Sequence, residues 1–167
     1  MGVPDTSAEI LVREVRGDDL PAFLAARPDA PSMGPYLLRQ RTNGIGTGLV
    51  ALDGETLVGS LELCWTWPPE VRNLHVVEAR RMQGIGTALL AAAEAAVRHR
   101  GSQEGEEELV LQLHVGEGNP SARRLYERLG YRPTGQRTST RYSSLDDDGT
   151  TRTATEIDEL LVTHLGR

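Results

Sequence analysis

Leu74-His-Val-Val-Glu-Ala-Arg-Arg-Met-Gln-Gly-Ile-Gly-Thr-Ala-Leu-Leu90 is the stretch whose reading decides the fold. Its first part belongs to a strand over Val71 to Val77, with Leu74 and Val76 on one face and Asn73 and His75 on the other. Its last part opens the best helix of the chain, beginning near Gly84, with Leu89, Leu90, Ala93, Ala96 and Val97 at helical spacing. A short turn joins the two. At a helix start up to four backbone N–H groups lack partners within the helix, and the dipole adds partial positive charge. Glycines at 84 and 86 let a ligand oxygen approach the backbone. Strand, turn and helix start together read as an anion site suited to a phosphate or diphosphate.

The chain supplies its own control. Gly44-Ile-Gly-Thr47 repeats the letters of Gly84-Ile-Gly-Thr87 but follows a polar segment and leads into a strand. With no helix dipole behind it, that copy reads as a flexible connector. A dinucleotide-fold reading of the second copy fails, because the third glycine of that pattern would stand where Leu89 is.

Working outward, Ile10 to Val15 reads as a first strand, and Asp18 or Asp19 caps a helix through Ala26 with Pro21 in its first turn. Arg27 to Pro35 reads as a loop, and Tyr36 to Thr42 as a second helical stretch. From Gly48 to Trp65 two apolar runs flank Asp53-Gly54, a hairpin signal, and Trp67-Pro68-Pro69 breaks the second run. The long helix is expected to stop at Gly101, followed by an acidic loop to Glu108. Leu109 to Val115 is a strand. Asn119-Pro120 caps and starts a helix that Gly130 ends, and two strands follow near Pro133 to Ser143 and Thr153 to Val162. Asp146-Asp147-Asp148-Gly149 reads as a turn between them, with a metal site as the alternative. The order is β-α-α-β-β-β-α-β-α-β-β, a single α/β domain over 1–167 with its core at about 9–165.

Composition narrows the chemistry. The chain has 167 residues and a net charge of -6, so no basic field draws nucleic acid. One cysteine, Cys64, excludes a disulfide framework and a multi-cysteine zinc site. Every basic side chain other than histidine is arginine, which excludes a Walker loop and a lysine nucleophile or base. No apolar run spans a membrane and the N-terminus carries no leader pattern, so a soluble cytoplasmic protein is expected.

Two segments carry a resemblance. Arg81-Met-Gln-Gly-Ile-Gly86 matches the acetyl-CoA signature of the GCN5-related N-acetyltransferase (GNAT) family: Gln or Arg, two residues, Gly, one residue, Gly or Ala. Downstream, Asn119-Pro-Ser-Ala-Arg-Arg-Leu-Tyr-Glu-Arg-Leu-Gly-Tyr131 is similar to its second signature. The match is strongest over Val71 to Tyr131. It implies a mixed, mostly antiparallel sheet flanked by helices, with splayed central strands forming an acyl-CoA cleft. It also implies a function: transfer of an acetyl group from acetyl-CoA to a primary amine by direct attack in a ternary complex, with no metal. The alternative is a non-catalytic acyl-CoA-binding module on the same fold.

The same resemblance distributes the roles. Backbone N–H groups from Met82 through Thr87, with Arg81, Gln83, Gly84, Ile85 and Gly86 in that turn, hold the CoA diphosphate. Leu74, His75 and Val76 pair through their main chain with the pantetheine arm, and the Val76 N–H polarises the thioester carbonyl. Asn119 bonds the arm or holds the strand ends. Tyr126 lies near the CoA sulfur and protonates the departing thiolate; spacing alone favours a core residue of the Ala122, Leu125, Tyr126, Leu129 stripe, and it is the resemblance that implies the active-site role. Where some members carry a base on the strand before the turn, this chain has Arg72. Where others carry one on the next strand, it has His114, a credible base near pKa 6.5 or a hydrogen-bonded sheet histidine. His75, Glu62, Glu117 or an ordered water are the other candidates. Trp65, Trp67 and Tyr36 either line an acceptor pocket or serve as packing. The acceptor is a small-molecule or protein amine, and dimers, common in the family, make a homodimer the analogous assembly.

Overall fold

A computed structural model of the chain describes residues 9–145 and 148–166. The elements are β1 (Leu11–Glu14), a 3₁₀ turn (Gly17–Asp19), α1 (Leu20–Ala26), α2 (Met33–Thr42), β2 (Gly46–Asp53), β3 (Thr56–Cys64), β4 (Glu70–Val76), a second 3₁₀ turn (Glu78–Arg80), α3 (Ile85–Glu104), β5 (Leu109–Gly116), α4 (Pro120–Arg128), β6 (Arg132–Leu145) and β7 (Thr151–Leu165). This is the order read from the sequence. The chain forms two compact units, one ending at Glu107 and one beginning at Glu108.

In the first unit β1, β2, β3 and β4 pair antiparallel in sequence order. The near-continuous burial of β2 and β3 makes sense because helices cover both faces of these strands. Gly48 lies under α2, where an added Cβ would stand 2.8 Å from the Leu37 side chain. Gly59 lies under α3, where a Cβ would stand 3.0 Å from Ile85 and 3.1 Å from Leu89. On the α1/α2 side Val15, Phe23, Leu37, Val50, Leu52 and Leu57 form one buried cluster. Leu89, Leu90 and Ala93 of α3 are fully buried; truncating such a leucine costs roughly 2–5 kcal/mol. Asp19 ties the entry of α1 to β1. Its carboxylate accepts two hydrogen bonds from Arg13, at 2.7 and 2.8 Å, and one from the Arg16 N–H at 2.7 Å.

Beyond shifts of one to three residues at strand ends, the structure departs from the sequence reading in four places. First, α2 begins at Met33, because Pro35 sits in its opening turn, where a missing N–H costs nothing. Second, the hairpin turn is Gly54-Glu55, with Gly54 at φ 59° and Asp53 still in β2. Third, Gly46 and Thr47 are no flexible connector. They are buried strand residues paired with Cys64 and Leu63, and a Cβ on Gly46 would stand 2.9 Å from the Leu63 carbonyl oxygen. Fourth, α3 runs through Gly101 to Glu104, and Gly105, at φ 73°, ends it by donating its N–H to the Gly101 carbonyl. Gly101 is buried inside the helix, and an Arg100–Glu104 pair at 2.9 Å supports the added turn.

The second unit is a three-stranded antiparallel sheet in which β7 pairs with both β5 and β6. Asn119 caps α4 as expected: its side-chain oxygen accepts the Ala122 N–H at 3.2 Å, with Pro120 at the first helical position. Gly130, at φ 97°, lets the chain turn into β6. Of the acidic turn, Asp146 and Asp147 lie outside the described residues; Asp148 accepts the Thr150 N–H at 2.9 Å. Among the described residues no cluster of His, Cys, Asp or Glu is arranged to hold a metal, and no helix is long and apolar enough to cross a membrane.

Candidate active site

The strand that leads to the turn is bent before it gets there. Ser60 pairs with His75 but Glu62 pairs with Arg72, so Asn73 and Leu74 together face Leu61. Asn73 is left at φ 52°, a conformation that non-glycine residues seldom hold. Beyond the bulge, Leu74, His75 and Val76 are half-buried. The Val77 N–H donates to the Val58 carbonyl at 2.9 Å. Successive N–H groups of a strand alternate sides, so the Val76 N–H points away from β3. The Val76 carbonyl, on that same side, accepts from the Arg81 Nε at 3.1 Å.

The turn itself is braced and its backbone exposed. Arg80 reaches back to Asp53 at 2.7 Å and forward to the Gln83 side-chain oxygen at 3.0 Å. Met82 has φ 62° and a side chain 97% exposed; Gly84 has φ 80° and is the N-cap of α3. A hydrophobic side chain in open water on a left-handed backbone marks a loop shaped for its amides. The first α3 amide with a backbone acceptor is Ala88, bonded to the Gly84 carbonyl at 3.0 Å. Among the described residues none of the amides from Met82 through Thr87 has a hydrogen-bond partner. A run of unsatisfied donors at the positive end of a twenty-residue helix fits a diphosphate in charge and in hydrogen-bonding character.

Other expected residues fall as follows. His75 has its pKa lowered, first by burial and then by the charges of Arg27 and Arg81. In the second unit His114 lies exposed on β5, opposite Leu160 of β7. Tyr126 is 7% exposed on α4, edge-on to Tyr131 with ring centroids 6.1 Å apart. Burial pushes its phenol pKa up, which keeps the proton on the oxygen until a strong acceptor arrives. Trp65 stacks under the Arg100 guanidinium at 4.5 Å, and Trp67 is 72% exposed. The Cys64 thiol is pushed up to about 12 by burial first and then by Glu62, which leaves almost no thiolate at neutral pH for an acyl-enzyme route.

Sequence reasoning missed the Arg80 brace, the bulge at Asn73 and the partners of Glu62. Each depends on a residue from another strand or helix, and only the strand-breaking Asn73 carried a local signal.

A sequence model of the Acetyltransferase (GNAT) family matches residues 12–131 of this chain. "Acetyltransferase Atu2258" of Agrobacterium fabrum is 34% identical over 136 residues, 80% of this chain and 82% of that protein. Among solved structures, the ribosomal-protein-S18-alanine N-acetyltransferase of Escherichia coli superposes with a TM-score of 0.68 at 18% identity, covering 95% of this chain and 96% of that one. Arabidopsis thaliana NAA60 in complex with acetyl-CoA gives 0.67 at 21% identity, covering 94% and 99%. These two show the fold: a mixed α/β, mostly antiparallel architecture. The chain belongs to the GNAT acetyltransferase family and is an acetyl-CoA-dependent N-acetyltransferase.

Proposed function

We propose that the protein transfers acetyl from acetyl-CoA to a primary amine by direct attack in a ternary complex. The run of unpartnered amides from Met82 through Thr87 is the observation that carries this reading. These amides, with Arg81 and Gln83 fixing the turn, hold the diphosphate. The edge of Leu74, His75 and Val76 pairs with the peptide-like pantetheine arm, and the Val76 N–H, directed away from β3, polarises the thioester carbonyl. Asn119 keeps the start of α4 in place and offers its amide nitrogen to the arm. His114 takes a proton from the amine, the C–N bond forms as the C–S bond breaks, and Tyr126 gives its proton to the departing thiolate. The family match runs from the first unit into the second, which supports reading both as one catalytic domain.

Each group answers a chemical need. The thioester is already activated, so catalysis requires an uncharged amine, a polarised carbonyl and a protonated leaving group. A buried phenol is a poor acid toward water but a ready hydrogen-bond donor to a thiolate formed beside it. The acceptor is a small-molecule amine or a protein amine, and a homodimer is the proposed assembly. Thiol release from acetyl-CoA, measured with spermidine, kanamycin and a peptide bearing a free N-terminus, tests the reading. Saturable release with one of these supports it. Tight acetyl-CoA binding with no release from any amine would favour a non-catalytic binding module.

A further inference from the structure

Glu62 stands in the middle of β3 on the face covered by α2, opposite Gly48, and is 1% exposed. A carboxylate removed from water must be compensated by hydrogen bonds or a cation. Its Oε1 accepts the Tyr36 O–H at 2.7 Å and the Gln40 Nε2–H at 3.3 Å; its Oε2 accepts the Asn73 Nδ2–H at 2.8 Å. Among the described residues no arginine or histidine forms an ion pair with it. The carboxylate is therefore held directly by neutral donors from α2 and from the β4 bulge, while Arg72, its cross-strand partner, acts on it only through space and spends its hydrogen bond on Glu70.

We propose that Tyr36 is the residue that recognises the acceptor amine, its hydroxyl polarised by Glu62 so that it takes a hydrogen bond from the substrate and offers none. The proposal rests on the acetyl-transfer reading above. The Tyr36 proton is committed to Glu62, and Gln40 Nε2 donates to the same phenol oxygen. What remains on that oxygen is an acceptor position. An incoming N–H fits it; a carbonyl, ether or carboxylate oxygen there meets only lone pairs and the negative charge behind them. Tyr36 is half-buried, and the nearby carboxylate raises its pKa, which keeps the proton where this polarity needs it.

Position agrees with chemistry. Asn73, the other partner of Glu62, is the bulge residue of β4, three residues before Val76. That separation is about 10 Å along a strand. A cofactor anchored at Met82 to Thr87 and lying back along β4 brings its acyl end toward the bulge, hence toward Tyr36. Tyr36 touches the substrate in this scheme, and Glu62 is a positioning residue acting through it. The substrate class is a primary aliphatic amine, oriented by the hydrogen bond that its N–H gives to the Tyr36 oxygen.

The test compares wild type, Tyr36→Phe and Glu62→Gln. It uses the amine of the three-member panel with the highest kcat/KM, and acetyl-CoA titration by calorimetry. Tyr36→Phe should raise the amine KM about tenfold, the effect of one hydrogen bond to a charged or polarised group. The acetyl-CoA Kd should stay within about twofold and kcat within about threefold. Glu62→Gln should raise the amine KM similarly. It should also lower the pH at which Tyr36 ionises, read as the ultraviolet titration difference from Tyr36→Phe. An unchanged amine KM in Tyr36→Phe would overturn the proposal. So would an acetyl-CoA Kd rising in step with that KM, since the residue would then only support the fold. If Glu62→Gln does not fold, Tyr36→Phe decides alone. Failure of wild type to bind acetyl-CoA sinks the acetyl-transfer reading instead, and the two failures are thereby distinguished.

Discussion

Gly86→Glu separates the stability of the protein from its hold on the cofactor. Gly86 lies in the first turn of α3, and its φ is not among the left-handed ones, so a larger residue can adopt the same backbone. Glycine in a helix costs roughly 0.5–1 kcal/mol relative to alanine. A carboxylate in a first helical turn gains about 0.3–1 kcal/mol from the dipole. The variant should therefore be more stable by about 1 kcal/mol, which raises Tm by roughly 2–4 °C for a chain of this length. Binding moves the other way. A carboxylate about 6 Å from each of two phosphate charges is repelled by roughly 1.5 kcal/mol at the dielectric of water and about 5.5 kcal/mol at an effective value near 20. The acetyl-CoA Kd should rise at least tenfold and up to about ten-thousand-fold. Thermal melting and calorimetry on one preparation read both quantities. A folded Gly86→Glu protein that binds acetyl-CoA with wild-type affinity would refute the placement of the diphosphate.

Three further outcomes follow from the geometry. Tyr126→Phe should lower kcat at least tenfold while the acetyl-CoA Kd stays within about threefold, the loss of one proton donor at the sulfur; unchanged turnover removes Tyr126 from the mechanism. Asp19→Asn should cost about 2 kcal/mol at neutral pH, because the buried Asp19 carboxylate loses the charged bonds from Arg13 and Arg16 that hold its pKa below the usual range. A depressed carboxylate contributes stability that is present above its unfolded pKa near 3.9 and lost as pH falls through the folded value. The gap between wild type and variant in urea melts should therefore close on acidification, and a gap independent of pH contradicts this account. Cys64, buried and raised to about 12, should resist iodoacetamide at pH 7.5 in the folded protein and react in urea, as mass spectrometry will show.

The parts of the fold legible in the sequence were those set by local physics. The apolar stripe of α3 and the Asn119-Pro120 cap act within a few residues, and each stands in the structure as read. Where the reading slipped, a neighbour outside the window decided. Gly46-Thr47 is a strand because β3 is there to pair with it. Gly101 stays helical because Gly105 takes over the termination. The repeated Gly-Ile-Gly-Thr letters show the same lesson twice. At 84–87 they open a helix and expose amides, and at 44–47 they turn into a buried strand. The candidate site was legible in its backbone half, since glycines before a helix advertise bare N–H groups. The network of Tyr36, Gln40, Glu62 and Asn73 was not, because its members lie on α2, β3 and β4 and meet only on folding.

The most direct test titrates wild-type protein with S-acetylpantetheine 4′-diphosphate and, separately, with S-acetylpantetheine, which keeps the thioester and the arm but has no diphosphate. If the amides from Met82 through Thr87 are the anchor, removing the diphosphate should weaken binding at least a hundredfold, the loss of several charge-assisted hydrogen bonds. Equal affinities for the two compounds would contradict the account.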